Sequence, residues 1–158
     1  MSKNTKTTVM RLLDGAKIPY REHCYVESGV VSGIDVARVL GQEPDRVFKT
    51  LVTQGANKAH YVFVVPVDKE LDLKKAAKAT GEKSIAMIHA KELLPLTGYI
   101  HGGCSPIGMK KFFATTVDES AKAQETICVS AGKIGYQVEL APADLEKMIR
   151  LTYADITG

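Results

Sequence analysis

The sequence predicts a mixed α/β (α+β) chain folded as a single domain over residues 1–158, with a strongly curved mixed sheet or partial barrel of about seven strands surrounded by short helices. Three observations predict it. Short runs of β-branched and aromatic residues recur along the chain between Gly, Pro and Asp, whereas helical periodicity appears only in brief pieces. The two patterns do not alternate as a βαβ fold requires, and no GxGxxG follows the first strand. At 158 residues, with 45% hydrophobic and 25% charged side chains, the chain suits one domain with a useful core, and no composition break divides it.

The elements follow in order. Val9, Leu12, Leu13 and Ala16 form the apolar stripe of a helix that Gly15 weakens and Pro19 stops. Residues 20–26 read as a strand, placing the polar tips of Tyr20, His23 and Tyr25 where they can meet a cavity. Ser32 with Asp35 is a capping-box pattern, and Ile34, Ala37 and Leu40 make the inward stripe of a helix closed by Gly41. Residues 47–54 and 60–67 are strands around the loop 55–58; the second is apolar on both faces, as a central strand is. Asp72 caps a helix with Leu73, Ala76 and Ala77 inward and Lys74, Lys75 and Lys78 elsewhere. Residues 84–88 read as a strand and 90–94 as a helix ended by Pro95. Residues 112–117, 125–130 and 136–140 are further strands, with Asp118 capping a helical turn and a 130–135 turn between the last two. Pro142 opens a helix carrying Leu145, Met148 and Ile149, and residues 151–156 close the fold.

Composition and motif spacing exclude several classes. A net charge of +3 is compatible with an anionic partner but requires none. Cys24, Cys104 and Cys128 form no CxxC, and His23, His60, His89 and His101 show no HxH or HxxxH spacing, so no sequence-local metal motif is present and no cofactor is expected. Odd, scattered cysteines fit a reducing cytoplasm. The polar residues 1–6 lack a signal-peptide h-region, and no run reaches the ~20 apolar residues of a membrane span. Gly132-Lys133 lacks P-loop spacing.

Two stretches carry chemistry. In Val47-Phe48-Lys49-Thr50-Leu51-Val52, strand alternation puts Lys49 on one face with Val47 and Leu51. An ammonium there either serves a wet pocket or snorkels over its neighbours, and spacing leaves both open. Residues 98–108 hold four glycines and Pro106, a density that suits a backbone cradle for a carbonyl oxygen, carboxylate or phosphate, or else a tight bend. Lys110 and Lys111 follow it and, with the lysines of the Asp72 helix, make either phosphate contacts or a solvated face.

Val47-Phe48-Lys49-Thr50-Leu51, Gly102-Gly103-Cys104-Ser105-Pro106-Ile107-Gly108, Val129-Ser130-Ala131-Gly132-Lys133 and Val138-Glu139-Leu140-Ala141-Pro142-Ala143-Asp144-Leu145 occur in the order of the YbaK/EbsC family, which the chain resembles from about Thr5 to Ile156. Within it the likeness is nearest to the YbaK-type deacylases that remove cysteine from tRNA for proline. The resemblance implies a YbaK-like fold with a barrel-like sheet and a trans-editing role beside prolyl-tRNA synthetase. It implies Lys49, Gly102 and Gly103 as catalytic positions, and Tyr25, Ser105, Pro106 and Ser130 as substrate-binding ones. Lys74, Lys75, Lys78, Lys110 and Lys111 are the expected tRNA contacts. The implied chemistry is substrate-assisted: the cysteine thiol attacks its own ester, and Cys104 is not the nucleophile. A deacylase for alanine on the same tRNA, and a non-catalytic tRNA- or nucleotide-binding module, stay open as alternatives.

Overall fold

The computed structural model of the protein describes residues 6–158, so all but one of the polar residues 1–6, and Thr5 where the family likeness begins, lie outside it. Eight strands and five α-helices occur among the described residues. β2 (Phe48–Gly55) and β3 (His60–Pro66) pair antiparallel at the heart of a five-stranded sheet ordered β4-β2-β3-β5-β8, with β4 (Ile85–Met87), β5 (Ala114–Asp118) and β8 (Leu151–Ala154). β5 runs parallel to both β3 and β8. The expected central position of the 60–67 strand is therefore observed. A second, three-stranded sheet has the order β1-β7-β6, with β1 (Arg21–Cys24), β6 (Ile127–Ser130) and β7 (Tyr136–Leu140). The strands thus divide between two sheets rather than closing as one barrel. Among the described residues a parallel bridge, Val47 to Cys128, joins them at a seam.

Alternation along β2 and β3 sorts the core. Phe48, Val52, Val62 and Val64 face the main cluster between the sheets, where Met10 and Leu13 of α1 (Thr8–Gly15) and Val138 of β7 also lie. Phe63 and Val65 face the other way, onto Ala76 and Ala77 of α3 (Leu73–Thr80). Caps behave as the residue types dictate. Ser32 accepts the Asp35 amide at the start of α2 (Gly33–Leu40), Gly41 ends it at φ 67°, and the Asp72 carboxylate accepts the Lys74 and Lys75 amides.

Three expectations need correction. Ile34 is exposed, and α2 buries Val36 and Ala37 instead. Leu73 is also exposed: it is the first residue of α3, and only Ala76 and Ala77 are buried on that helix. Pro95 does not stop α4 (Ala90–Thr97). It removes one donor, but the last turn is held by the Gly98 amide on Leu94 O at 2.8 Å and by Thr97 Oγ1 on Leu93 O at 2.8 Å. Gln137 in β7 is a buried polar side chain, its amide paired with that of Gln42 at 2.7 Å. Finally, α5 (Pro142–Met148) buries Leu145 against the main core. No helix among the described residues is long and apolar enough to cross a membrane.

Candidate functional site

The site is built where two glycine-bearing loops close one end of the space between the sheets. Residues 100–103 form a tight turn, the Gly103 amide donating to Ile100 O at 2.9 Å, with Gly102 at φ 88°. That conformation favours glycine. A Cβ on Gly102 would also stand 2.5 Å from Val31 Cγ1, and one on Gly103 would stand 3.1 Å from the Ile134 amide nitrogen. The 98–108 loop therefore packs against the turn between β6 and β7. Because the Gly103 amide is used within the loop, Gly102 supplies the free amide of the pair, with no backbone acceptor among the described residues. Ser105 is fully buried, and its Oγ accepts the Ile107 amide at 3.2 Å, so it shapes the loop beside the buried Pro106.

Tyr99 holds the two loops together, a role the sequence reading missed. Its ring lies where a Cβ on Gly132 would be 2.9 Å from Cε1, and its hydroxyl donates to Ile107 O at 2.5 Å. Burial pushes its phenol up to about 12. An aromatic inside a glycine-dense stretch was the available signal, since glycines without side chains leave room that only a ring can fill. On the other loop, Ser130 Oγ accepts the Gly132 amide at 3.1 Å, leaving its hydroxyl proton for another acceptor. Tyr25 is buried just beyond β1, its amide donating to Gly135 O at 2.8 Å, so it joins the same turn. Burial raises its phenol, and a hydrogen bond with the Gly135 backbone opposes that rise.

Lys49 enters through the seam. The Val47–Cys128 bridge is parallel, so Lys49 and Ser130 each stand two residues further along their strands in the same direction. The geometry thus carries β2 toward the Ser130 turn. The Lys49 side chain lies between the Val47 and Leu51 clusters, is 30% exposed, and extends its Nζ to Glu70 Oε2 at 3.4 Å. It is neither fully buried nor fully solvated, and its partner Glu70 is 89% exposed. Beside it, Thr50 Oγ1 on the inner face of β2 is the buried side-chain oxygen without a hydrogen-bond partner among the described residues. A lone threonine in an apolar strand gives no sequence signal for this.

The predicted nucleic-acid lysines separate into two groups. Lys74 and Lys78 are exposed on α3, but Lys75 Nζ is engaged by Asp155 at 3.1 Å and Thr157 O at 2.7 Å. Lys110 and Lys111 are exposed immediately after the glycine loop.

Thiols and metal-type ligands occur elsewhere. Cys104 is buried in the loop and Cys128 at the seam; burial pushes each thiol up to about 12, so both are protonated near neutrality and poor nucleophiles. The ligand atoms of His23, Cys128 and Glu139 lie within 4.8 Å of one another, a grouping from three strands that no sequence-local motif shows. These groups already engage protein partners: Glu139 Oε1 lies 2.8 Å from His23 Nε2, Glu139 Oε2 accepts from Thr126, and Gln42 reaches Cys128 Sγ. Burial of Glu139 would raise its carboxyl, but Thr126, His23 and the Arg21 charge outweigh that and hold it below the usual range.

Residues 27–148 match the family described as "Aminoacyl-tRNA editing domain". The chain is 48% identical over 153 residues, 96% of its length and 93% of the relative's, to a protein of Enterococcus faecalis provisionally named as a Cys-tRNA(Pro)/Cys-tRNA(Cys) deacylase, EbsC. It is 28% identical over 99 residues to a proline–tRNA ligase of Pelobacter propionicus, covering 63% of this chain but only 17% of the ligase. A crystal structure described provisionally as a trans-editing enzyme for prolyl tRNA synthetase superposes with a TM-score of 0.81, covering 98% of this chain and 99% of the other at 22% identity; at that identity it speaks for the fold alone.

Proposed function

Because the chain belongs to the aminoacyl-tRNA editing domain family, we propose that it is a trans-acting deacylase that removes cysteine from tRNA for proline. The observation that carries this reading is its 48% identity, over nearly the whole of both chains, to the EbsC relative. The likeness of residues in this chain to a small part of a proline–tRNA ligase supports a partnership with that synthetase, which selects the tRNA. We further assign the whole of residues 1–158 to one editing domain acting in the cytoplasm, where aminoacyl-tRNA is made.

The chemistry follows from what the site offers. An aminoacyl ester is already activated, and the substrate brings its own thiol. That sulfur attacks the ester carbonyl and loses its proton, the carbonyl oxygen gathers charge, and the ribose oxygen leaves with a proton. A cyclic thiolactone and free tRNA result. The Gly102 amide receives the developing oxyanion in this reading, a contribution of about 3 kcal/mol in comparable sites; its freedom from a backbone acceptor among the described residues supports that role. Lys49 orients the terminal nucleotide or the ester, exchanging Glu70 for the substrate. Thr50 offers its unpartnered hydroxyl, and Tyr25 and Ser130 bound the small side-chain pocket. Selection for a small side chain at a second site does what a single synthetase site does poorly, separating similar small amino acids.

The test is single-turnover deacylation of Cys-tRNA and Ala-tRNA for proline by the wild type and by Lys49→Ala, with the released species identified. Rapid loss of cysteine as thiolactone, slow loss of alanine and dependence on Lys49 are expected. Preferential loss of alanine would assign the sister specificity instead, and binding without turnover would overturn the enzyme reading.

A further inference from the structure

The most exposed large hydrophobic side chain among the described residues is Phe112, 61% accessible, one turn of chain past the glycine loop. A single exposed ring is ordinary on a protein surface; what sets Phe112 apart is the set of groups gathered around it. The parallel pairing of β5 with β8, Thr115 opposite Leu151, brings the segments before the two strands together, and the Arg150 guanidinium stands 5.9 Å from the Phe112 ring centroid. Lys110, Lys111 and Arg150 are all exposed, and none forms an ion pair with a carboxylate among the described residues. Lys110 lays its stem against Gly98 and so is fixed at the loop's edge. A cleft of about 140 Å³ lies under this group, walled by Lys111, Phe112, Phe113 and Ile149 and continuous with the glycine loop through Pro106 and Gly108. Phe113 is braced from the far side by an edge-on contact with His60 at 5.8 Å.

An exposed aromatic ring, a guanidinium within cation–π range of it and unpaired cations around one shallow cleft are the components of a stacking platform for single-stranded nucleic acid. Charge alone would attract any polyanion. The ring adds a face on which an unpaired base can lie, and the Arg150 charge beside it adds attraction for the base and its phosphate. We infer that the Phe112–Arg150 platform binds an unpaired base of the single-stranded 3′ end of the RNA substrate, with Lys110 and Lys111 on the adjoining phosphates. This rests on the deacylase reading for the identity of the RNA, and it adds a binding surface that delivers the ester to the glycine loop.

The test separates the two. Binding of a single-stranded RNA oligonucleotide ending in CCA is measured by fluorescence anisotropy for the wild type, Phe112→Ala and Phe112→Tyr, with thermal melts to confirm folding. Phe112→Ala is expected to weaken binding about tenfold, the equivalent of about 1.4 kcal/mol, while Phe112→Tyr retains wild-type affinity. Lys110→Ala and Lys111→Ala should each flatten the salt dependence of binding. In deacylation of Cys-tRNA, Phe112→Ala should raise KM and leave kcat unchanged. Binding that depends on Phe112 in a protein without turnover would sustain the platform and sink the deacylase reading. Wild-type affinity and KM in Phe112→Ala, with turnover intact, would sink the platform alone.

Discussion

Replacing Tyr99 by Phe probes whether the two glycine loops are held as one unit. The ring is kept, so the space beside Gly132 stays filled, and only the hydroxyl that donates to Ile107 O at 2.5 Å is lost. Ile107 is 1% exposed, so its carbonyl loses a partner where water does not readily replace it. A buried acceptor left unsatisfied costs about 1–3 kcal/mol. At this chain length each kcal/mol lowers the melting temperature by about 2–4 °C, so a loss of about 6 °C is expected at the middle of the range. Tyr153→Phe serves as the control, because its hydroxyl bonds to Glu146 at an exposed position and should shift the melt far less. Calorimetry reads the stability. Single-turnover deacylation, run well below the melting temperature, reads the loop, and should slow for Tyr99→Phe but not for Tyr153→Phe. Equal melting temperatures and equal rates for Tyr99→Phe and wild type would refute the idea that this bond fixes the loop.

The other expectations are quickly stated. Gly132→Ala places a Cβ 2.9 Å from the Tyr99 ring at a residue with φ 90°, combining backbone strain with overpacking, and should cost about 2–4 kcal/mol by denaturant unfolding. Cys104→Ser should keep its deacylation rate per folded molecule, since the buried thiol is held protonated; loss of turnover with an unchanged melt would restore a nucleophilic role. Cys104, Cys128 and Tyr99 have folded pKa values raised to about 12 from ordinary values of 9, 9 and 10. The unfolded chain therefore ionises first as pH rises, so their stabilising contribution is complete below about pH 9 and is lost progressively between 9 and 12. Denaturant melts across that range should show the fall, less steep in Cys128→Ala. Substituting Lys74 or Lys78 should alter the salt dependence of tRNA binding more than substituting Lys75, whose ammonium is held by Asp155 and Thr157.

Local chemistry was the legible part of the fold. The caps at Ser32, Asp72 and Asp118, the stop at Gly41, and the central β3 strand each follow from neighbours within a few residues, and all are observed. Misreadings came where tertiary contact decides. Ile34 and Leu73 sit at the right spacing for a buried stripe, but each occupies the first turn of its helix and is exposed, burial beginning only later in the helix at Val36 and Ala76. Pro95 ends a helix only if nothing else holds the last turn, and here Thr97 and Gly98 do. The division into two sheets depends on which strands meet across long stretches of chain, and periodicity carries no such information. In the glycine-rich loop, residue density pointed to a tight backbone turn, but that the Gly103 amide is spent on Ile100 O was visible only once the turn was formed. The Thr50 hydroxyl was illegible for the same reason: its lack of a partner is a property of everything around it.

The Val47–Cys128 bridge also sets the order in which the protein can become competent. It ties a strand from the first third of the chain to one from the last third, and no stretch of local sequence can form it early. During synthesis, β2 and β3 can pair as soon as they emerge, but the wall bearing Ser130 does not yet exist. The half-made sheet then presents Phe48, Val52, Val62 and Val64 without their cover from β7 and α5. Closure of that seam is thus a checkpoint late in folding: a chain cut short before β6 would keep its lysine strand and its glycine loop, yet have no second wall to hold a substrate against.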